Sequence, residues 1–387
     1  LAGLSTSPGA LVVLRGVQGL AASMIAPASL SLLITIFTDP VEQEKALGIW
    51  TAVLGAGFVT GVTVGGVLTQ YLGWRLVFLV NVPVALLAFV LAGILLPANQ
   101  ARDHRQGLDV PGAVIITSAM IALVYWLSQA NSWGWTSSTS LAVPALAIFL
   151  IFGFLAIESR SAFPITPLDV LRRRPVVLSN TINLLLMAAF SGMIFVLTLY
   201  LQNVRHLSAL TTGLTLAPSG IAGMLGGAGA NALSRRFGAA RVLSATSFVE
   251  AVAIAALVAL PGRGTIPFVI ACTVFVSSFG VVAIVMINIA ATSFVEPERQ
   301  GVASGLLNTT RQIGGALGVA VATAAIGAVA SLSVHERAVQ LGGYRRGLVI
   351  SAAAVLAASL LSLAKMRPRE PLQPAIASER DLPVVEV

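Results

Sequence analysis

Three charged side chains lie inside blocks of apolar sequence, where a charge costs a few kcal/mol by membrane-insertion scales and is a functional candidate by default. Arg15 stands in L-x-x-x-R-x-x-Q-G-x-x-A with Gln18 and Gly19, Glu250 in SFVEAVAI, and Arg311 immediately before Gln312. An intramembrane carboxylate can take up and release a proton at physiological pH. Arg15, Glu250 and Arg311 are therefore the candidates for proton coupling. Each has a plainer reading: an interhelical pair for Arg15, a structural hydrogen bond for Arg311, and a place among lipid headgroups for Glu250. Uncharged polar positions form a second set. Asn180 and Asn183 share a helix face, Asn81 with Pro83 interrupts an apolar block, and Pro27, like Pro218, sits where a helix can open its backbone. Gln18, Pro27, Asn81, Asn180 and Asn183 could line a substrate path, or serve as packing contacts between helices.

These residues need helices long enough to hold them in a bilayer. The chain has 387 residues, 57% hydrophobic and 10% charged, against roughly 25% charged in soluble domains. Eleven apolar spans can be drawn at about 11–36, 46–70, 75–96, 110–128, 141–157, 177–201, 213–233, 241–260, 266–290, 301–330 and 346–365. Each approaches the roughly 20 residues needed to cross hydrocarbon. The class is an all-α polytopic membrane protein. The net charge of +8 sits in loops between spans and does not indicate nucleic-acid binding. Fifteen basic residues fall on the side of Lys45 and six on the other. That asymmetry makes the Lys45 side cytoplasmic and places the C-terminus there, with Trp74, Trp133 and Trp135 at the outer interface. Residues 367–387 read as a disordered cytoplasmic tail.

The chain also carries an internal repeat. A shift of 257 positions aligns Phe37 with Phe294, Pro40 with Pro297, Gln43 with Gln300, Gly57 with Gly314 and Gly61 with Gly318, seven identities in 25 positions. A charged loop at Asp39–Lys45 is expected to lead into a helix whose Gly57, Gly61 and Gly65 form one close-packing face. The repeat divides the chain into a partial N-terminal bundle at 1–97, a linking pair of helices at 98–175 and a six-helix bundle at 176–366. Spans six to eight have no counterpart in the first half, so a complete version would have fourteen helices, three of them preceding Leu1.

Enzyme signatures are missing: no G-x-x-x-x-G-K-[ST], no H-E-x-x-H and no G-x-S-x-G occur. An enzyme is not expected, nor is a metal or cofactor. The lone Cys272 sits in an apolar block and reads as core filling.

The motifs resemble the major facilitator superfamily, in its fourteen-helix multidrug:proton antiporter branch. The R-x-x-Q-G-x-x-A of Arg15–Ala22 is similar to that family's fourth-helix motif, and the helix of Gly57, Gly61, Gly65 and Gly66 to its antiporter motif. W-R-x-x-F-x-x-N-x-P at Trp74–Pro83, D-x-x-G at Asp109–Gly112, W-G-W at Trp133–Trp135 and A-S-G-L-L-N-T-x-R-Q-x-G-G-A-L-G at Ala303–Gly318 follow in family order. The loop N-A-L-S-R-R-F-G-A-A-R, with Arg236 and Gly238, resembles a cytoplasmic signature in which Arg235 replaces an acid. Val62 stands where the antiporter motif has proline. The resemblance implies a two-bundle carrier in the cell membrane, alternating between inward- and outward-facing forms. It also implies proton-driven export of drugs or amphipathic metabolites, with Arg15 assisting proton transfer, and a monomer whose partners are a small-molecule substrate, protons and the bilayer. Uptake or facilitated diffusion of a polar metabolite, and a fragment that does not transport, are the alternatives.

Overall fold

A computed structural model describes residues 1–37, 39–96, 109–161, 173–259, 265–292, 300–330 and 336–365. The tail at 367–387, Arg299 and the second copy of the charged segment, with Glu296 and Pro297, lie outside these residues. After a 3-10 turn at Ala2–Leu4, the order is α1 (Pro8–Ile36), α2 (Pro40–Tyr71), α3 (Arg75–Leu79) and α4 (Asn81–Leu95). Next come α5 (Val110–Trp133) and α6 (Ser138–Glu158). Then come α7 (Arg174–Leu199, continued as a π turn to Val204), α8 (Ala209–Phe237) and α9 (Ala239–Val258), followed by α10 (Ile266–Thr292), α11 (Gln300–Ala330) and α12 (Glu336–Lys365).

Helix starts follow side-chain caps. Ser7 Oγ accepts from the Ala10 N–H, Asp109 Oδ1 from Gly112 and Ser208 Oγ from Thr211, at 3.2, 2.9 and 3.1 Å. The D-x-x-G motif thereby acquires a cause: a Cβ at Gly112 would lie 2.7 Å from the capping Asp109 carboxylate. At the α8–α9 junction Gly238 alone makes the turn with φ +80°, a conformation that side-chain-bearing residues adopt at a cost. Gly238→Ala should lower thermal stability in detergent by about 1–2 kcal/mol; an unchanged melting curve would contradict that strain.

Two sequence expectations need correction. The segment Asp39–Lys45 is not a loop: Pro40 occupies the first helical position and Asp39 Oδ1 accepts from the Glu42 N–H at 3.0 Å, so α2 begins there. The break that Asn81 and Pro83 imply in the third span falls at Val80, between α3 and α4. Pro83 has no N–H to offer the Leu79 carbonyl. The eleventh span begins ten residues early, at Glu336 rather than 346, because its Glu, Arg, Gln and Leu favour helix beyond the apolar stretch. Arg345 and Arg346 are thus helical.

Eight stretches among the described residues are long and apolar enough to cross a membrane. Helices α7–α12 close on one another, with the largest seams at α7–α11, α8–α10, α9–α10, α9–α12 and α7–α12. Their shared core includes Ile182, Leu186, Met193, Leu197, Ile254 and Met286. Cys272 is buried beside them. Helix α2 packs against α8, and α5 pairs with α6 and docks on α11. The α1 stretch Pro8–Ile25 and the stretch Arg75–Leu95 have no buried residues. Phe89, Phe149 and Leu225 are each more than 70% exposed, an apolar surface that suits lipid and not water.

Candidate functional site

Arg15 sits in the second turn of α1, where its Nη1 donates to Gln18 Oε1 at 2.8 Å. Its guanidinium also lies 5.7 Å from the ring centroid of Phe78 in α3, a cation–π contact joining the first and third spans. Both partners are neutral, so the charge itself is not compensated among the described residues. The R-x-x-Q spacing places Gln18 one turn along the same face, which produces the hydrogen bond.

Glu250 lies in α9 at 1% exposure, pressed against α10. A Cβ at Gly280 would come within 3.2 Å of its Oε1, so glycine makes the room for the carboxyl. Its Oε2 has no hydrogen-bond partner among the described residues, and neither does Ser247 Oγ one turn earlier. The headgroup-facing alternative for Glu250 is thereby excluded in this structure.

Arg311 in α11 is partly buried, and its Nε has no partner among the described residues. The preceding Thr310 Oγ1 stands 3.0 Å from Asn180 Oδ1 and accepts from Asn183 Nδ2 at 3.0 Å. Asn183 Nδ2 also donates to the Leu307 carbonyl at 2.7 Å. Asn180 and Asn183 thus bind α7 to α11 at a seam where Gly314 and Gly318 bring the backbones together. A Cβ at Gly314 would lie 2.6 Å from the Leu184 carbonyl oxygen, and one at Gly318 would collide with that of Ala188. The hydroxyl of Thr310 links both asparagines, a role hidden in sequence by its place between Thr309 and Arg311.

The first-half glycines behave differently. A Cβ at Gly57, Gly61 or Gly65 meets nothing within 4 Å. The close approach on α2 is instead made one position round the helix: Gly66 against Ala209 and Leu210 of α8, and the Val62 carbonyl against Gly213. Gln70 Oε1 accepts from the Leu210 N–H at 3.3 Å and extends the same face. The stripe that α8 covers is 62/66/70, not the expected 57/61/65.

Elsewhere, Asn81 Nδ2 donates back to the Val77 carbonyl at 2.9 Å across the break. The helix assignment runs unbroken through Pro27 and Pro218. Arg236 is exposed and rests over Phe237, next to the Gly238 turn. Asn131, just beyond the apolar span drawn from sequence, donates to the Ala324 carbonyl at 2.9 Å and fixes α5 on α11. No hydrogen bond or ion pair among the described residues joins Arg15, Glu250 and Arg311 to one another. No group of three potential metal ligands occurs among them.

A family model described as Major Facilitator Superfamily matches residues 1–319. The Tetracenomycin C resistance and export protein of Streptomyces glaucescens is 35% identical over 326 residues, covering 82% of this chain and 59% of its own length. The Puromycin resistance protein pur8 of Streptomyces alboniger is 32% identical, with 86% and 66% covered. The Cephamycin export protein CmcT of Amycolatopsis lactamdurans is 34% identical, with 95% and 77% covered. The chain spans about three-fifths to two-thirds of the first two relatives. With the helical architecture and the membrane-crossing stretches, these matches show that the chain belongs to the Major Facilitator Superfamily.

Proposed function

We propose that the chain is the greater part of a plasma-membrane carrier that exports amphipathic small molecules in exchange for protons, by alternating access. The observation that carries this reading is Arg15. It is an arginine in a membrane-crossing stretch whose partners among the described residues are the neutral Gln18 and Phe78, which leaves its positive charge available to a proton or an anion. The relatives named for resistance and export support the outward direction and a small-molecule substrate. Glu250 is the second coupling candidate, a buried carboxyl on a bed of glycine, and Arg311 the third.

Two related halves, with a linking pair between them, accommodate this mechanism. Shifted by 257, α1 would span 265–293 and α2 would span 297–328, close to the observed α10 and α11. In the second half α11 takes α7 on its Gly314/Gly318 face; the equivalent Gly57/Gly61 face of α2 is open among the described residues. A helix equivalent to α7 on that face, with companions equivalent to α8 and α9, would give six, two and six helices. The domains are then the partial bundle at 1–97, the linking pair at 98–175 and the bundle at 176–366. The 15-to-6 distribution of basic residues supports a cytoplasmic C-terminus.

The test is efflux of a fluorescent amphipathic cation from cells expressing the protein. Export that stops when a protonophore collapses the gradient is expected; gradient-driven accumulation of the dye would overturn the exporter reading. Glu250→Gln removes the titrating group at nearly constant volume. It should leave membrane insertion and melting intact and slow proton-driven export about tenfold or more. Unchanged export would remove Glu250 from the coupling set.

A further inference from the structure

Between the linking pair and the six-helix bundle, α5, α11 and α12 enclose a groove of about 480 Å³, within the size range of small-molecule sites. Its floor is apolar, formed by Leu127 of α5, Val321, Ala324 and Ala325 of α11, and Val349 and Ile350 of α12. Val349 and Ile350 are 50% and 43% exposed, so the groove opens sideways towards the hydrocarbon. One wall is Trp135, and it is held rigidly. Its indole N–H donates to Asn131 Oδ1 at 3.0 Å, and its ring meets Trp126 edge-on at 5.8 Å. Asn131 is in turn anchored to the Ala324 carbonyl.

The polar element is a pair of guanidiniums. Arg345 and Arg346 line the groove and are exposed, and neither makes an ion pair or hydrogen bond among the described residues. Their depth is fixed by the helix that carries them. Nineteen residues of α12 separate Arg346 from Lys365, about 28 Å at the helical rise and close to the thickness of the hydrocarbon core. One end of that interval therefore sits at each membrane boundary, and at the Arg346 end long side chains reach the level of lipid phosphates. Trp135 belongs at the same level, where indole is favoured.

We propose that this groove binds an anionic phospholipid, with an acyl chain along Val321, Ala324, Val349 and Ile350 and the headgroup phosphate on Arg345 and Arg346. Two adjacent cations with no ion pair among the described residues match an anionic headgroup, and the apolar floor beneath them matches the chain of the same molecule. A free anion would leave the floor unused, and a neutral lipid would leave the arginines unpaired. The lipid would cement the linking pair to the bundle at the seam that Asn131 already staples. This site does not depend on the direction of transport or on proton coupling.

The test uses the purified protein in mild detergent, mixed with phosphatidylglycerol or with phosphatidylcholine of the same chains, and reads retained lipid by native mass spectrometry. Phosphatidylglycerol should be retained in preference. The double variant Arg345→Gln/Arg346→Gln should weaken its retention roughly thirtyfold, from the loss of two basic residues at the headgroup level. Val349→Trp, which fills the floor and leaves both arginines, should also displace it. Equal retention of the two lipids, full retention by the double variant, or full competition by soluble glycerol phosphate would each overturn the proposal. Elution volume and melting point establish that the variants are folded. Should the double variant fail to fold, Val349→Trp decides, since retention in that variant is itself contradictory.

Discussion

Gly318→Leu should leave little folded protein in the membrane. The α7–α11 seam brings backbone to backbone at Gly318 and Ala188, and again at Gly314 and Leu184. A side chain there meets a main-chain carbonyl, which cannot rotate aside. Overpacking in a tight core costs roughly 1–3 kcal/mol, and a rigid backbone neighbour puts this case at or above the upper end. Separating the helices would also break the Asn180–Thr310–Asn183 hydrogen bonds and expose polar groups to an apolar surround. Gly61→Leu provides the comparison that tests the repeat. Among the described residues Gly61 faces open space, so these contacts alone predict no effect. The two-half account predicts that a helix equivalent to α7 covers that face and makes Gly61→Leu nearly as damaging. Protein yield and melting temperature of both variants in native membranes are the measurement. A neutral Gly61→Leu beside a ruinous Gly318→Leu would sink the repeat as a structural guide.

Arg15→Ala carries the second large effect. Proton-driven export should fall roughly a hundredfold, the lower end of what a positioned proton-transfer arrangement supplies. A merely structural Arg15 would behave otherwise. Losing its contacts with Gln18 and Phe78 would remove about 0.5–2 kcal/mol of packing and depress every transport mode together. A coupling role predicts that substrate exchange in the absence of a proton gradient survives while gradient-driven export is lost. Arg15→Lys keeps the charge but not the planar fork, and should recover only part of the export. Equal loss of exchange and export would make Arg15 structural.

Composition and periodicity made the helical membrane architecture readable, because blocks of apolar sequence admit few other structures. Helix ends were less legible. Polar residues such as Glu336 and Arg337 extend α12 without any hydropathic mark, and Asp39–Pro40 looked like a loop although its residue types are those of a helix start. The glycine ladder revealed that backbones approach, but not which stripe does so. Gly66 and Val62 of α2 took that role, since a helix's rotation is decided by its partner. Asn180 and Asn183 were visible as a polar face. Their shared partner Thr310 was not, since pairing across a sequence gap of 130 residues has no local signature. Glu250 was recognisable as a charge out of place, and Gly280 beneath it only once α9 and α10 were packed.

The central claim is exchange of an amphipathic substrate for protons. The direct measurement is substrate-driven proton movement in proteoliposomes containing the purified protein and a trapped pH-sensitive dye. An imposed substrate gradient should move protons in the opposite direction, and Arg15→Ala should abolish that movement while substrate exchange continues. Substrate flux with no proton movement, or with protons travelling alongside the substrate, would contradict it.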